Sequence, residues 1–226
     1  MLKAAVFDFD GVLADSEMVH LEAFNLALAR FGVQIGVQQY MDLYLGLTDR
    51  ECVETVISQG LLEVDAQTAE ALVADKKRIY GQLARAETRL IDGVLPFLQM
   101  LSSHGIHMAI CSGALKEEIL AFTDRTNLTG YFKVIVSADD VTKGKPDPEG
   151  FLLTLARLND LAGPIKPQDC VVIEDSRWGI AAAWAAGMHT VAVTNTYGPS
   201  ELAQADLIVS RLDQLSIDDL HRLTSR

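Results

Sequence analysis

The sequence predicts an α/β fold: a Rossmann-like parallel sheet with helices on both faces, interrupted by an inserted all-helical domain. Three observations predict it. A short apolar run, Ala4 to Phe9, opens the chain and breaks off at Asp8, Asp10 and Gly11. From Gly93 onward, strand-like runs alternate with helical patterns, the grammar of right-handed crossovers and a sheet covered on both sides. Between them, residues 16–88 carry helical periodicity and no convincing strand. The expected division is a discontinuous α/β core, 1–15 and 89–226, and a helical domain, 16–88.

Taken in order, Ala4 to Phe9 has the pattern of a strand buried on both faces. A buried, unpaired carboxylate is costly, so two of them closing such a strand imply a task. Read at period two, Asp8 and Asp10 point to one side, where paired acids favour a divalent cation or hold a proton between them. Gly11 lets the backbone turn away. Ser16 is a good N-cap for the next helix, with Glu17 in its first turn. Leu21, Phe24, Leu28 and Phe31 recur at helical spacing, and Gly32 ends that helix. One further helix carries Val53, Val56 and Ile57, and a longer one Ala69, Leu72, Val73, Ile79, Tyr80 and Leu83. Beyond Gly93 follow helix 95–102, strand 106–111, helix 115–126, strand 134–137, helix 151–158 and strand 170–174. Helix 179–186, strand 190–194, strand 207–209 and a C-terminal helical segment complete the chain. Open parallel sheets bind ligands at the carboxyl edge, near the switch in strand order. Asp8 and Asp10 end the first strand at that edge, and an insertion leaving from it would hang over them as a lid.

Composition narrows the class. The chain has 226 residues, 49% hydrophobic and 22% charged, which suits a globular core plus a smaller domain. A net charge of −12, spread along the chain, argues against nonspecific nucleic-acid binding. Three separated cysteines, Cys52, Cys111 and Cys170, fit free thiols in a reducing compartment. No stretch approaches the roughly 18 apolar residues of a membrane span. Asp8 and Asp10 interrupt the N-terminal apolar run before a signal segment could form. The expectation is a cytoplasmic protein, monomer or homodimer, with neither nucleic acid nor membrane as partner.

Other polar groups fall at the same edge. Strand 106–111 ends in Ser112-Gly113 before a helix, where a hydroxyl and free N–H groups can hold an anion, although serine is also an ordinary N-cap. Lys145 follows strand 134–137 on a loop stiffened by Pro146 and Pro148, placed to stabilise Asp8 and draw charge from a phosphoryl group. Its neighbour Lys143 reads as a solvated loop residue. Strand 170–174 runs into Glu174-Asp175, making four carboxylates at one edge and a set suited to Mg2+. Together these are the parts of one phosphoryl-transfer site. One Asp serves as nucleophile, a second as acid and then base, and a cation with a lysine neutralises the oxygens.

The ordered set Asp8-Phe9-Asp10-Gly11-Val12, Ser112, Lys145-Pro146 and Glu174-Asp175 with Gly179 resembles the haloacid-dehalogenase-like (HAD) superfamily over nearly the whole chain. The insertion is similar to the helical cap of the subgroup holding β-phosphoglucomutase and small sugar-phosphate or phosphoglycolate phosphatases. The resemblance implies Asp8 as nucleophile and Asp10 as general acid/base. It implies Mg2+ held by the Asp8 side chain, the Asp10 carbonyl and Asp175, with Glu174 close by. Ser112, with Gly113, and Lys145 would hold the transferring phosphate. On the insertion, Lys76 lies in register with Leu72, Ile79 and Leu83, and His20 one turn before Phe24. A snorkelling lysine and a satisfied core histidine are the plainer readings, while both positions are similar to cap residues that face the sugar in the mutase. The loop Gly46-Leu47-Thr48-Asp49-Arg50-Glu51 is also similar to the mutase loop, which makes Arg50 a candidate substrate contact.

Two departures weigh against a mutase. Asp49 stands where the mutase arginine directly follows the Ser/Thr, and Ala114 and Lys116 stand where it has a serine and an asparagine. The reading is therefore a Mg2+-dependent phosphatase of a small phosphorylated metabolite. A β-phosphoglucomutase-type phosphohexomutase is the alternative, and a phospho-acceptor receiver domain, which lacks such an insertion, stands third.

Overall fold

The computed structural model describes residues 1–45 and 47–225, and the side chains of all of these except 85–87. In chain order the elements are β1 (Ala4–Phe7), β2 (Ala14–Asp15), α1 (Glu17–Leu28), α2 (Val37–Leu43), α3 (Asp49–Ser58), α4 (Ala66–Glu87) and β3 (Arg89–Leu90). Then come α5 (Val94–Ser103), β4 (His107–Cys111), α6 (Lys116–Arg125), β5 (Phe132–Val136), α7 (Glu149–Ala162), β6 (Cys170–Glu174), α8 (Arg177–Ala185), β7 (His189–Val193), β8 (Leu207–Val209) and α9 (Ile217–Leu223). They fall into two compact units, Met1–Asp15 with Leu90–Arg226, and Ser16–Arg89.

The first unit is an α/β sandwich on a six-stranded sheet in the order β5-β4-β1-β6-β7-β8. Its neighbouring strands pair in parallel. The period of two decides which helices cover which face. Ala5 and Phe7 of β1 join Phe97, Leu98 and Leu101 of α5 and Ile119 and Phe122 of α6. Ala4 and Val6 join Phe151, Leu155 and Leu158 of α7 and Ala182 and Ala183 of α8 on the other face. Phe7 meets Phe97 and Phe132 edge-on at 6.0 and 5.8 Å. Each such buried ring contributes about 1.5–3 kcal/mol, and this packing fixes where β1 ends. The chain adds β4 and β5 on one side of β1, then β6, β7 and β8 on the other, so the order switches at β1. Phe7 pairs with Ile110 and with Ile173, which brings Asp8, Cys111 and Glu174 to one level at the carboxyl edge.

The strand is shorter than the sequence suggests. It stops at Phe7, although the Asp8 amide still donates to Ile173 O at 2.9 Å. The Phe9 carbonyl then collects the amides of Leu13 and Ala14, both at 2.9 Å, and Gly11 turns the chain at φ +69°. A loop, and not strand alternation, therefore presents Asp10. Ser16 precedes α1 as expected, but its backbone is already helical and its side chain makes no cap. Asp175 is not a cap either: Ser176 caps α8, accepting from the Gly179 amide at 3.1 Å. Ser112 stands clear of the helix that begins at Lys116.

The second unit is all-helical. Leu21, Phe24 and Leu28 of α1 pack with Tyr40 and Tyr44, with Val53 and Val56 of α3, and with Leu72 of α4. Asn25 ties the following loop in place, donating to Ile35 O at 2.9 Å and accepting from Ile35 N at 2.7 Å. Thr48 and Glu51 form a capping box on α3, and Asp65 caps α4 by accepting from Thr68 N at 2.8 Å. Gly46 of the loop singled out in the sequence lies outside the described residues. All three cysteines are free and buried, and no described helix is long and apolar enough to cross a membrane.

Candidate active site

Four charged side chains converge past the ends of β1, β5 and β6. Lys145 Nζ lies 2.8 Å from Asp8 Oδ1 and 2.6 Å from Glu174 Oε1. The ring of Phe151 supports the ammonium from 5.2 Å. Glu174 is wholly buried, and its other oxygen accepts from the amides of Asp175 and Ser176, at 2.9 and 2.8 Å, and from the Ser176 hydroxyl at 2.9 Å. That closes the turn that presents Asp175, which is itself buried and accepts a hydrogen bond from the Thr196 hydroxyl.

Two glycines make room for this crowding. A Cβ on Gly179 would lie 1.6 Å from Glu174 Oε1, and one on Gly11 would lie 1.9 Å from Asp175 Oδ2 at a positive φ. Asn195 holds the same turn by donating to Gly11 O at 2.7 Å.

Burial pushes the Asp8 carboxyl up; Lys145 opposes the shift and Glu174 adds to it. Burial also drives Asp175 well up, with Glu174 and Asp8 in the same direction and Thr196 against them. Burial would lower Lys145, but Asp8 and Glu174 outweigh it and hold the ammonium charged. Three carboxyl groups thus share one ammonium. Asp8, Glu174 and Asp175 each bring a carboxylate oxygen within 4.8 Å of the other two. An all-oxygen, electron-rich set of this kind fits a hard divalent cation, whose charge would relieve the burial that strains both aspartates.

The remaining residues named from sequence sit as follows. Asp10 is half-buried in the loop after β1, bridged to Ala14, and is not one of the three clustered acids. Ser112 and Gly113 lie just past β4, with the Ser112 hydroxyl accepting from Ala114 N at 3.1 Å. Both line a cavity of about 440 Å3 together with Ser137, Lys145 and Phe151, a volume suited to a small metabolite. Lys143 is 71% exposed and pairs loosely with Asp147 at 3.6 Å, in contrast to Lys145 at 19%.

In the helical unit, Lys76 is buried and bonded to Asp49 and, at 2.7 Å, to His20 Nδ1. His20 stacks on Tyr80 with centroids 3.9 Å apart. Burial, reinforced by Lys76, pulls the His20 pKa down to about 3, so the ring is neutral. Arg50 is exposed and pairs with Glu70 at 2.6 Å; it does not join Lys76 and His20.

Sequence reasoning missed Asn195, Thr196, Phe151 and the pairing of Asp49 with Lys76. Strand adjacency could have found the first two: β7 borders β6, so residues just past Val193 arrive beside Asp175.

The profile of a family described as Haloacid dehalogenase-like hydrolase matches residues 5–193. A phosphorylated carbohydrates phosphatase of Thermotoga maritima is 31% identical over 84% of each chain. A beta-phosphoglucomutase of Bacillus subtilis is 31% identical over 97% of this chain and 94% of its own. A crystal structure of a haloacid dehalogenase-like protein from Agrobacterium tumefaciens covers 100% of both chains with a TM-score of 0.82 at 25% identity.

Proposed function

The chain belongs to the haloacid dehalogenase-like hydrolases, and from that premise we propose that it is a Mg2+-dependent phosphatase releasing phosphate from a small phosphorylated metabolite. The observation that carries this reading is Lys145, held between Asp8 and Glu174 with Asp175 beside them. The phosphatase relative supports hydrolysis of a phosphate monoester, and its name points to carbohydrate substrates.

In the reaction we propose, a carboxylate oxygen of Asp8 attacks phosphorus in line. The ester oxygen leaves with a proton from Asp10, and phosphate stays on Asp8 as an acyl phosphate. Asp10, now a carboxylate, takes a proton from water attacking that phosphorus, which frees phosphate and restores Asp8. Lys145 keeps Asp8 ionised before attack and then faces the phosphoryl oxygens, where preorganised charge contributes most. Ser112 and the Gly113 amide orient those oxygens from the cavity wall. Asp8, Asp175 and the Asp10 carbonyl would hold Mg2+, which when bound supplies positive charge against the carboxylates and the phosphoryl group. Glu174 backs that set by fixing Lys145 and the Asp175 turn. We assign substrate selection to the inserted helical unit.

The test is a screen of phosphorylated metabolites for phosphate release with Mg2+, repeated after EDTA. Reversible silencing by EDTA is expected, and activity indifferent to chelation overturns the metal assignment. The mutase relative makes isomerisation the second reading. Incubation with β-glucose 1-phosphate and a trace of the 1,6-bisphosphate separates the two: free phosphate is expected to outpace glucose 6-phosphate, and the reverse order decides for the mutase.

A further inference from the structure

The chain just past β7 does more than flank Asp175. Four consecutive residues, Thr194 to Tyr197, each hold a different part of the α/β unit. The Thr194 amide donates to Val209 O of β8 at 3.1 Å. Asn195 donates to Gly11 O at 2.7 Å, and the Thr196 hydroxyl donates to Asp175. The Tyr197 ring meets Trp178 of α8 edge-on at 6.1 Å. Because β6 lies between β7 and β1, Asn195 reaches across the end of β6 to hold the turn that follows β1.

That turn carries Asp10. A peptide group is planar, so fixing its N–H or its C=O fixes the whole unit. The Gly11 amide donates to Ala14 O at 2.9 Å, which sets the Asp10–Gly11 peptide. The bond from Asn195 sets the next one, Gly11–Val12. With both set, Gly11 is held at its φ of +69°, and the backbone leaving Asp10 has one course. Packing limits the turn from the other direction. A Cβ on Gly11 would lie 1.9 Å from Asp175 Oδ2 and 2.7 Å from Thr196 Oγ1, so the turn has little room to move toward Asp175. Asn195 keeps it from moving away. Asn195 is itself exposed, so its side chain fills no core, and the hydrogen bond is what it contributes.

We propose that Asn195 is a positioning residue for proton transfer by Asp10. By holding the Gly11 carbonyl it keeps the Asp10 carboxyl where it can protonate the departing ester oxygen. In that step phosphorus bonds to Asp8, the ester P–O bond breaks, and the ester oxygen keeps the electron pair and takes the proton of Asp10. The inference rests on the phosphatase reading above and adds to it a residue that acts through another. A proton donor must lie within hydrogen-bond reach of the oxygen it serves, so a small displacement of the turn is costly.

The test compares two esters of similar size, p-nitrophenyl phosphate and benzyl phosphate, with Mg2+ present. A nitrophenolate leaves unaided, whereas an alkoxide needs the proton, and kcat/KM reports the step in which either departs. Asp10→Ala should cost roughly a hundredfold more kcat/KM on the benzyl ester than on the nitrophenyl ester. Asn195→Ala should shift the same ratio about tenfold, and should add nothing to it in the Asp10→Ala background. A second readout needs neither turnover nor metal. In Asn195→Ala, hydrogen exchange of the amides of Gly11, Leu13 and Ala14 should quicken about fivefold, the worth of one hydrogen bond. Melting curves verify folding, and Asn195→Ser replaces the alanine variant if that one unfolds early. The best alkyl phosphate of the metabolite screen replaces benzyl phosphate if that ester turns over too slowly to measure. Equal losses on both esters in Asn195→Ala, or unchanged exchange in the turn, overturn the inference alone. Equal losses on both esters in Asp10→Ala remove the acid role of Asp10 and the inference with it. A native protein that releases phosphate from no compound overturns the phosphatase reading, and the inference falls with that reading.

Discussion

Each unit buries a lysine against an acid and over an aromatic ring, and the two lysines are in opposite situations. In the α/β unit, Lys145 is shared by Asp8 and Glu174, with Asp175 crowding the same spot and Phe151 at 5.2 Å. In the helical unit, Lys76 meets one carboxylate, Asp49, and a neutral imidazole, with Tyr80 at 5.0 Å. The first cluster is short of positive charge and is completed by what binds. The second is balanced as it stands. An unbalanced buried cluster stores the electrostatic driving force of a reaction, and a balanced one can discriminate among ligands without driving any chemistry.

That contrast can be broken at several points. Asp8→Asn should lower phosphate release by at least about a thousandfold, which removal of a nucleophile implies. Its melting temperature without metal should not fall, since one carboxylate leaves a crowded set; retained turnover removes Asp8 from its role. Lys145→Met should cost about 10²–10³ in kcat, whereas Lys76→Met should act mainly on KM. Equal losses of kcat from both would abolish the distinction between the two lysines.

His20 offers a test on stability. Its folded pKa of about 3 lies below its ordinary 6.5, so the stability it contributes is present above 6.5 and is lost as pH falls toward 3. Between pH 7 and pH 5 the loss amounts to about 2 kcal/mol. Denaturant melts should show it in the native protein, and a flatter profile in His20→Gln. A slope that survives that substitution would assign the titration to another group. The smallest effect is expected at Thr196. Thr196→Val removes the donor to Asp175 and should weaken Mn2+ or Mg2+ affinity about tenfold by calorimetry, with Thr196→Ser restoring it.

The α/β site was more legible in the sequence than the helical one, for a physical reason. Buried parallel strands are apolar throughout, so any polar residue at their carboxyl ends stands out, and Asp8, Ser112, Glu174 and Asp175 were visible this way, while Lys145 was marked by the proline-stiffened loop that carries it. The loop presentation of Asp10 was not, because strand alternation was carried two residues past Phe7, where the Phe9 carbonyl gathers the chain into a turn. Thr196 and Asn195 stayed hidden because their meaning depends on β7 lying next to β6, a pairing that local pattern does not specify. In the helical unit, the register of Lys76 with Leu72 correctly marked it as inward. Its partner Asp49, 27 residues earlier, read only as an interruption before Arg50, because helix packing and not spacing brings the two together.

The most direct test of the central claim is to look for the phosphoryl group itself. The protein is mixed with Mg2+ and acetyl phosphate, quenched in acid within the first turnover, digested and analysed by mass spectrometry. The account predicts one added phosphoryl mass on the peptide that carries Asp8, absent from Asp8→Asn. Release of phosphate with no label on that peptide, or label on another residue, would contradict it.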